Sequence, residues 1–155
     1  MGLLNKLFFG KQGVPVILQN QSAESGSVSL AMISAFYGLF MSAEKMREAC
    51  GVTSNGTDFK RIAQAARSFG FEVTESQCSA SELRDKKLPA IFTWKGSKFS
   101  VVKGVGKESF HINDPESGEQ TIPAADFEKD FSGSILEIKP GPNFKKGGLQ
   151  SSILR

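Results

Sequence analysis

Ser25 stands where a polar run, Gln19 to Glu24, gives way to an apolar helical stretch, which places its hydroxyl at a helix N-terminus. Farther along, Lys98 leads into one strand-like segment and Asp114 closes the next, just before Pro115. A nucleophile at a helix N-terminus, a base on a neighbouring strand and an orienting acid are the parts of covalent hydrolysis. A glutamine upstream of the nucleophile commonly donates to the developing oxyanion. Gln19, Ser25, Lys98 and Asp114 follow that order along the chain. For Ser25 to attack, Lys98 would have to be neutral, which requires a dry site or a cationic neighbour. If Lys98 stood beside Asp114, the carboxylate would do the reverse, favour the ammonium form and pair with it as a salt bridge. A serine hydroxyl, unlike a thiol, is not made an appreciable anion by a helix N-terminus alone, and without a base it is inert.

The elements that must position these residues are legible from period and punctuation. Val14 to Leu18 reads as an edge strand, where Pro15 is tolerable. The helix from Ser25 is apolar nearly all round between Val28 and Tyr37, the mark of a buried central helix, and Gly38 supplies its stop. A second helix fits Ser42 to Cys50, with Ser42 as N-cap, Glu44 in the first turn and Gly51 at the end. A third is expected over Thr57 to Phe69, with Phe59, Ile62, Ala63, Ala66 and Phe69 on one face and Gly70 closing it. Between them Ser54-Asn55-Gly56-Thr57 reads as a turn.

The period then changes from helical to alternating. Phe71 to Gln77 predicts a strand, Ser79-Ala80-Ser81-Glu82 a capping box opening a short helix, and Leu88 to Trp94 a further strand. Phe99 to Val105, Ser109 to Asn113, Glu119 to Ile122 and Ser134 to Ile138 add four more, with a helix begun by Pro123 as its first residue between the last two. Helices first and a meandering antiparallel sheet afterwards is an α+β arrangement. The tail from Pro140, PGPNFKKGG, has linker chemistry, and Leu149 to Arg155 reads as the start of a helix cut short.

Bulk composition bounds the function class. A chain of 155 residues suits one domain, and 39% hydrophobic with 23% charged residues is ordinary for a soluble protein. No run of 18 apolar residues could span a bilayer, so no direct membrane insertion is expected. Met1 to Gly10 is interrupted by Lys6 and lacks a small-residue cleavage site, which makes it a poor signal peptide. The net charge of +3 is mild and its basic residues are dispersed, which argues against a nucleic-acid partner. Cys50 and Cys78 lack metal-ligand spacing and His111 is the only histidine, so no metal or other cofactor is expected. His111 falls on the strand face opposite Asp114 and reads as structural or surface. The two cysteines read as packed or incidental thiols in a reducing setting.

Several blocks of wording agree in order and spacing: Gln19 with Glu24-Ser25-Gly26, Leu30-Ala31-Met32-Ile33 with Tyr37-Gly38, Arg47-Glu48-Ala49-Cys50-Gly51-Val52, Pro89-Ala90-Ile91, and Ile112-Asn113-Asp114-Pro115 with Ser117-Gly118. Together they resemble the N-terminal double-glycine leader peptidase domains of bacterial peptide-exporting ABC transporters, which process bacteriocins and modified peptides. The resemblance implies a papain-like cysteine peptidase fold, with N-terminal helices packed on a C-terminal antiparallel sheet. It puts the peptidase-like domain at residues 1–139 and a linker toward a transmembrane segment at 140–155. The family's oxyanion-hole glutamine falls on Gln19 and its acid on Asp114. Its nucleophilic cysteine falls on Ser25 and its histidine on Lys98, the place beside Asp114 where that salt bridge is expected. An Arg-Asp pair common in the family is replaced by Ser54-Asn55.

Two of the three triad positions therefore depart from the pattern. An engineered Cys-to-Ser change made to trap substrate would account for Ser25 but not for Lys98. The expectation is a naturally degenerate, catalytically inactive domain that binds or positions the leader peptide of a ribosomally made cargo. It would do so beside the transmembrane and ATP-binding parts of the same exporter, at the cytoplasmic face of the bacterial inner membrane. The alternatives are an active or engineered-inactive double-glycine peptidase, including one using a Ser25–Lys98 dyad, and a structural or regulatory module that binds no peptide and fills the groove beside Ser25 with its own side chains.

Overall fold

Helix α1 (Ser25–Phe36) organises the molecule because it is buried all round: every residue from Ser25 to Ala35 is removed from solvent. In the computed structural model, which describes residues 13–149, the helix ends as its sequence dictates. Gly38 adopts φ 96°, and the Leu39 and Gly38 N–H groups donate to the Ser34 and Ala35 carbonyls in a Schellman closure. Two buried serines on α1 are satisfied locally, whereas Ser34 Oγ is buried without a hydrogen-bond partner. Ser27 Oγ donates to the Glu24 carbonyl at 3.2 Å and Ser29 Oγ to the Ser25 carbonyl at 2.7 Å.

Two shorter helices flank α1. In α2 (Ala43–Ala49) the Ser42 hydroxyl caps the Lys45 N–H at 3.2 Å, and Met46 anchors the helix in the core. Helix α3 (Phe59–Ser68) begins two residues later than Thr57, because the Asp58 carboxylate takes the cap position and accepts from the Arg61 N–H at 2.9 Å. Ile62, Ala63, Ala65 and Ala66 form its buried face, with Phe59 and Phe69 packed at the margin.

The second half forms one six-stranded antiparallel sheet of β1 (Phe71–Gln77), β2 (Ala90–Trp94), β3 (Lys98–Val105), β4 (Ser109–Asp114), β5 (Gly118–Pro123) and β6 (Phe131–Pro140). Its order is β1-β6-β2-β3-β4-β5, so the last strand is inserted between the first two. Alternation sends Ile91, Phe99, Val101, Leu136 and Ile138 toward the helices. Phe92, Trp94, Val102, Phe110, Ile112 and Ile135 face the other way. That second face is covered as well. The capping box formed between Ser79 and Glu82 leads into a 3-10 turn (Ser81–Asp85) carrying Leu83, and α4 (Ala124–Asp130) contributes Phe127, which stacks on Phe110 with ring centroids 4.2 Å apart. The α+β class holds, with the sheet between two covering layers.

Two local expectations need correction. Val14 to Leu18 forms no strand. Pro15 has no N–H to donate, and the Val14 and Pro15 carbonyls accept instead from the side-chain amide of Asn113 at 3.1 Å each, while β4 is already paired on both sides. Pro123 is the N-cap of α4 and the last residue of β5, with extended backbone, so the helix starts at Ala124.

The segment after β6 lies on the domain. Phe144 packs on Phe71 with centroids 4.6 Å apart, the Gly141 N–H donates to the Gly70 carbonyl at 2.9 Å, and Phe40 and Gly147 share a backbone bond of 2.8 Å. A Cβ at Gly148 would lie 1.9 Å from the Phe40 carbonyl oxygen, so only glycine allows this approach. The expected helix start at Leu149 to Arg155 falls outside the described residues after Leu149.

Truncating the aromatic hub should cost most. Phe127→Ala is expected to lower the unfolding free energy by about 3–5 kcal/mol in urea denaturation. Phe144→Ala, at the domain margin, is expected to cost about 1–2 kcal/mol and to increase hydrogen exchange at the Phe40 amide.

Candidate functional site

The chain enters α1 through a 3-10 turn, Ser22–Glu24, whose geometry is held by the Glu24 carboxylate. Its Oε1 accepts from the Asn20 and Gln21 N–H groups at 2.9 and 3.1 Å, and its Oε2 pairs with the Arg47 guanidinium of α2. Burial of Glu24 would raise its pKa. The Asn20 amide, the Arg47 hydrogen bond, the Gln21 amide and the Arg47 charge together outweigh burial and hold the carboxyl below its usual range.

Ser25 follows directly, 7% exposed at the first turn of α1. Its Oγ accepts a hydrogen bond from the backbone N–H of Phe99 at 3.2 Å. Next to Ser25, Gly26 lets the first turn of α1 pack tightly on the entry to α3. A Cβ there would lie 2.6 Å from Thr57 Cγ2 and 2.9 Å from Ile62 Cδ1. Thr57 is itself fixed by donating to the Cys50 carbonyl at 2.6 Å, and the turn before it is closed by paired backbone bonds between Thr53 and Gly56. Gln19 lies just upstream, with its N–H on the Pro115 carbonyl at 2.7 Å and its Oε1 buried without a partner.

Lys98 opens β3 immediately before Phe99, yet it does not pair with Asp114. Its ammonium pairs with Glu116. Strand register gives the reason: Val101 faces Asn113, so continuing the ladder sets Ser100 opposite Asp114 and Lys98 opposite Glu116. The buried Asp114 carboxylate is satisfied by neutral donors. Oδ1 accepts from Ser100 Oγ, and Oδ2 accepts from the Ser117 N–H at 3.2 Å and the Ser117 hydroxyl at 2.6 Å. Ser100 Oγ accepts in turn from the Trp94 indole N–H at 3.0 Å. Among the described residues, no side-chain base is hydrogen-bonded to the Ser25 hydroxyl.

The other candidates stand apart. His111 lies 3.2 Å from the hydroxyl of its cross-strand neighbour Thr121. Cys50 is fully buried in the main core, where burial pushes its thiol up to about 12. Cys78 is half-buried, and burial again raises its thiol; the charge of Lys86 works against that rise, and those of Glu82 and Glu137 add to it. Both cysteines are free. Among the described residues, no three His, Cys, Asp or Glu side chains gather to hold a metal ion, and no helix is long and apolar enough to cross a membrane. Sequence reasoning missed Arg47, Ser100 and Glu116. Glu116 and Ser100 follow from strand register, whereas no spacing rule links Arg47 to Glu24 across 23 positions.

Beside the entry turn an open cavity of about 180 Å³ lies between residues 17–20, α1 and α2. Ile17, Leu18, Val28, Ala31, Met41 and Met46 supply its apolar lining, with Glu24, Ser27 and Glu44 among its polar groups. Leu18 on its wall is 58% exposed, and Val16 nearby is 43% exposed.

Known proteins share this fold. Residues 13–143 match the model of the peptidase C39 family. The colicin V secretion/processing ATP-binding protein CvaB of Escherichia coli is 31% identical over 140 residues, covering 90% of this chain and 20% of that protein. The transport/processing ATP-binding protein ComA of Streptococcus pneumoniae is 30% identical over 148 residues, covering 87% of this chain and 21% of its own length. The chain thus spans about a fifth of these relatives. Among solved structures, a double glycine motif protease from an AMS/PCAT transporter, in complex with the leader peptide, superposes with a TM-score of 0.79. It is 35% identical, over 82% of this chain and 91% of that one. The peptidase domain of Streptococcus ComA shares the fold, with a TM-score of 0.76 at 23% identity over 81% of this chain and 97% of that one. A match over most of the chain, in sequence and in fold, makes this chain a member of the peptidase C39 family, homologous to the peptidase domains of bacteriocin-processing ABC transporters.

Proposed function

We propose that this domain holds the leader peptide of a ribosomally made cargo for a peptide-exporting ABC transporter, at the cytoplasmic face of the membrane, without cutting it. In this reading Gln19, Ser25, Lys98 and Asp114 occupy the oxyanion, nucleophile, base and acid positions of the family. The observation that carries it is the fate of the base position: the Lys98 side chain pairs with Glu116, and the hydrogen bond to the Ser25 hydroxyl comes from the Phe99 amide. A serine attacks an amide only when a base takes its proton as the bond forms, and neither contact supplies one. Engineering of residue 25 alone would leave Lys98 unexplained.

Binding needs none of that chemistry. Apolar anchors of an extended or helical leader require only a complementary groove, and the open cavity beside the entry turn, with exposed Leu18 on its wall, supports a binding module over a purely structural one. The apolar lining favours leader residues such as Leu or Ile, while Glu24 and Glu44 are among its polar groups. Residues beyond Pro140 lead toward the transmembrane part of the exporter, and nucleotide chemistry belongs to that larger assembly.

Calorimetry with a panel of synthetic double-glycine leaders is expected to give micromolar binding, and mass spectrometry of the same precursors to show no cleavage. Introducing Ser25→Cys together with Lys98→His should confer cleavage after the double glycine. Neither change alone should, because the thiol and its base act as a unit. Absence of binding to every leader would remove the docking role, and wild-type cleavage lost on Ser25→Ala would remove the inactivity.

A further inference from the structure

Glu24 presents a difficulty that the site must solve. Its carboxylate is buried to 2% exposure in the residue directly before Ser25, where a negative charge opposes any anion formed at position 25. The helix N-terminus pulls the other way, since its free amides favour negative charge. Which influence prevails depends on what neutralises Glu24. Arg47 is the group that does so, reaching across from α2, whose own position is set by Met46 in the core.

The same contact has a geometric side. Glu24 clamps the Asn20 and Gln21 amides, and Gln19 at the start of the turn is tied by its N–H to Pro115 beyond β4. The entry turn is therefore anchored at both ends, with Arg47 holding the clamp from outside. Of the other charges around it, Lys98 pairs with Glu116 on the β3 side, Glu44 lies on the wall of the neighbouring cavity, and the buried Asp114 carboxylate is held by Ser100 and Ser117.

We propose that Arg47 is a positioning residue for this site, holding and neutralising Glu24 so that the Gln19–Glu24 turn stays in register with α1 and the buried carboxylate adds no net charge beside residue 25. The proposal rests on the reading of residue 25 as the nucleophile position. It explains why a buried carboxylate is compatible with a site of this ancestry, because the Glu24–Arg47 pair adds no net charge beside the helix N-terminus.

The test uses the 155-residue chain carrying Ser25→Cys and Cys78→Ser, followed by iodoacetamide alkylation against pH. Cys50 stays silent in the core, its thiol pushed up to about 12. Relative to that parent, adding Arg47→Ala is expected to move the alkylation midpoint up by about one pH unit, leaving roughly tenfold less thiolate near neutral pH. Arg47→Lys should stay within a few tenths of the parent. Glu24→Gln combined with Arg47→Ala should bring the midpoint back, since a glutamine oxygen still accepts the two amides without charge. A midpoint unmoved by Arg47→Ala, or by Arg47→Gln if the alanine variant does not fold, overturns the proposal. The parent alone judges the underlying reading: a midpoint no lower than that of an ordinary thiol, about 8.5, counts against residue 25 as a nucleophile position and leaves the Arg47 comparison valid.

Discussion

The close approach of α1 to β3 is the contact on which the rest of the structure depends. Gly26 has no side chain, so the first turn of α1 settles against Thr57, Ile62 and the Phe99 ring. That approach carries the Ser25 hydroxyl to the Phe99 backbone, and it buries the helix so completely that no polar face remains for solvent. A helix buried all round needs covering on every side, which α2, α3 and the sheet provide. The sheet in turn exposes a second apolar face, and the Leu83 turn and α4 close it. Each layer is the consequence of the previous one's unsatisfied surface.

Charge in the site is organised around local neutrality. Glu24 is balanced by Arg47, Lys98 by Glu116, and the carboxylate of Asp114 by two hydroxyls and an amide. An acid solvated by neutral donors no longer needs a cation, and a lysine with its own carboxylate no longer needs the acid. Lys98 and Glu116 are both partly exposed and form a surface pair, whereas the carboxylates of Glu24 and Asp114 are the buried charges that need partners. The polar pattern around Asp114 stands independently of whichever side chain occupies position 98.

Much of this was legible in the chain. The stops of all three N-terminal helices follow from Gly38, Gly51 and Gly70 and the start of α2 from capping by Ser42, because those signals act over one turn, whereas α3 starts after the Asp58 cap rather than at Thr57. Phe71 to Gln77 reads as a strand over the residues it occupies, and the capping box at Ser79 leads into its short helix. What failed was longer in range. Val14 to Leu18 has strand-like composition, but pairing is a property of the neighbour, and β4 had no free edge to offer. The Lys98–Asp114 pair seemed natural from order along the chain, whereas strand register assigns Lys98 to Glu116 two residues farther on.

By itself the sequence determined the local elements, the α+β class, the serine at the start of α1, and the membership that several agreeing blocks of residues convey. These depend on residue type, period and short spacing, all carried by the chain before it folds. Only the tertiary structure decided the partners of the charged groups, the second covered face of the sheet, and the return of Phe144 and Gly148 to the domain. Those outcomes turn on register and on approaches of an ångström or two between segments far apart in sequence. A pairing such as Glu24 with Arg47 exists only after α2 has packed against the entry to α1, and no local rule reaches across that distance.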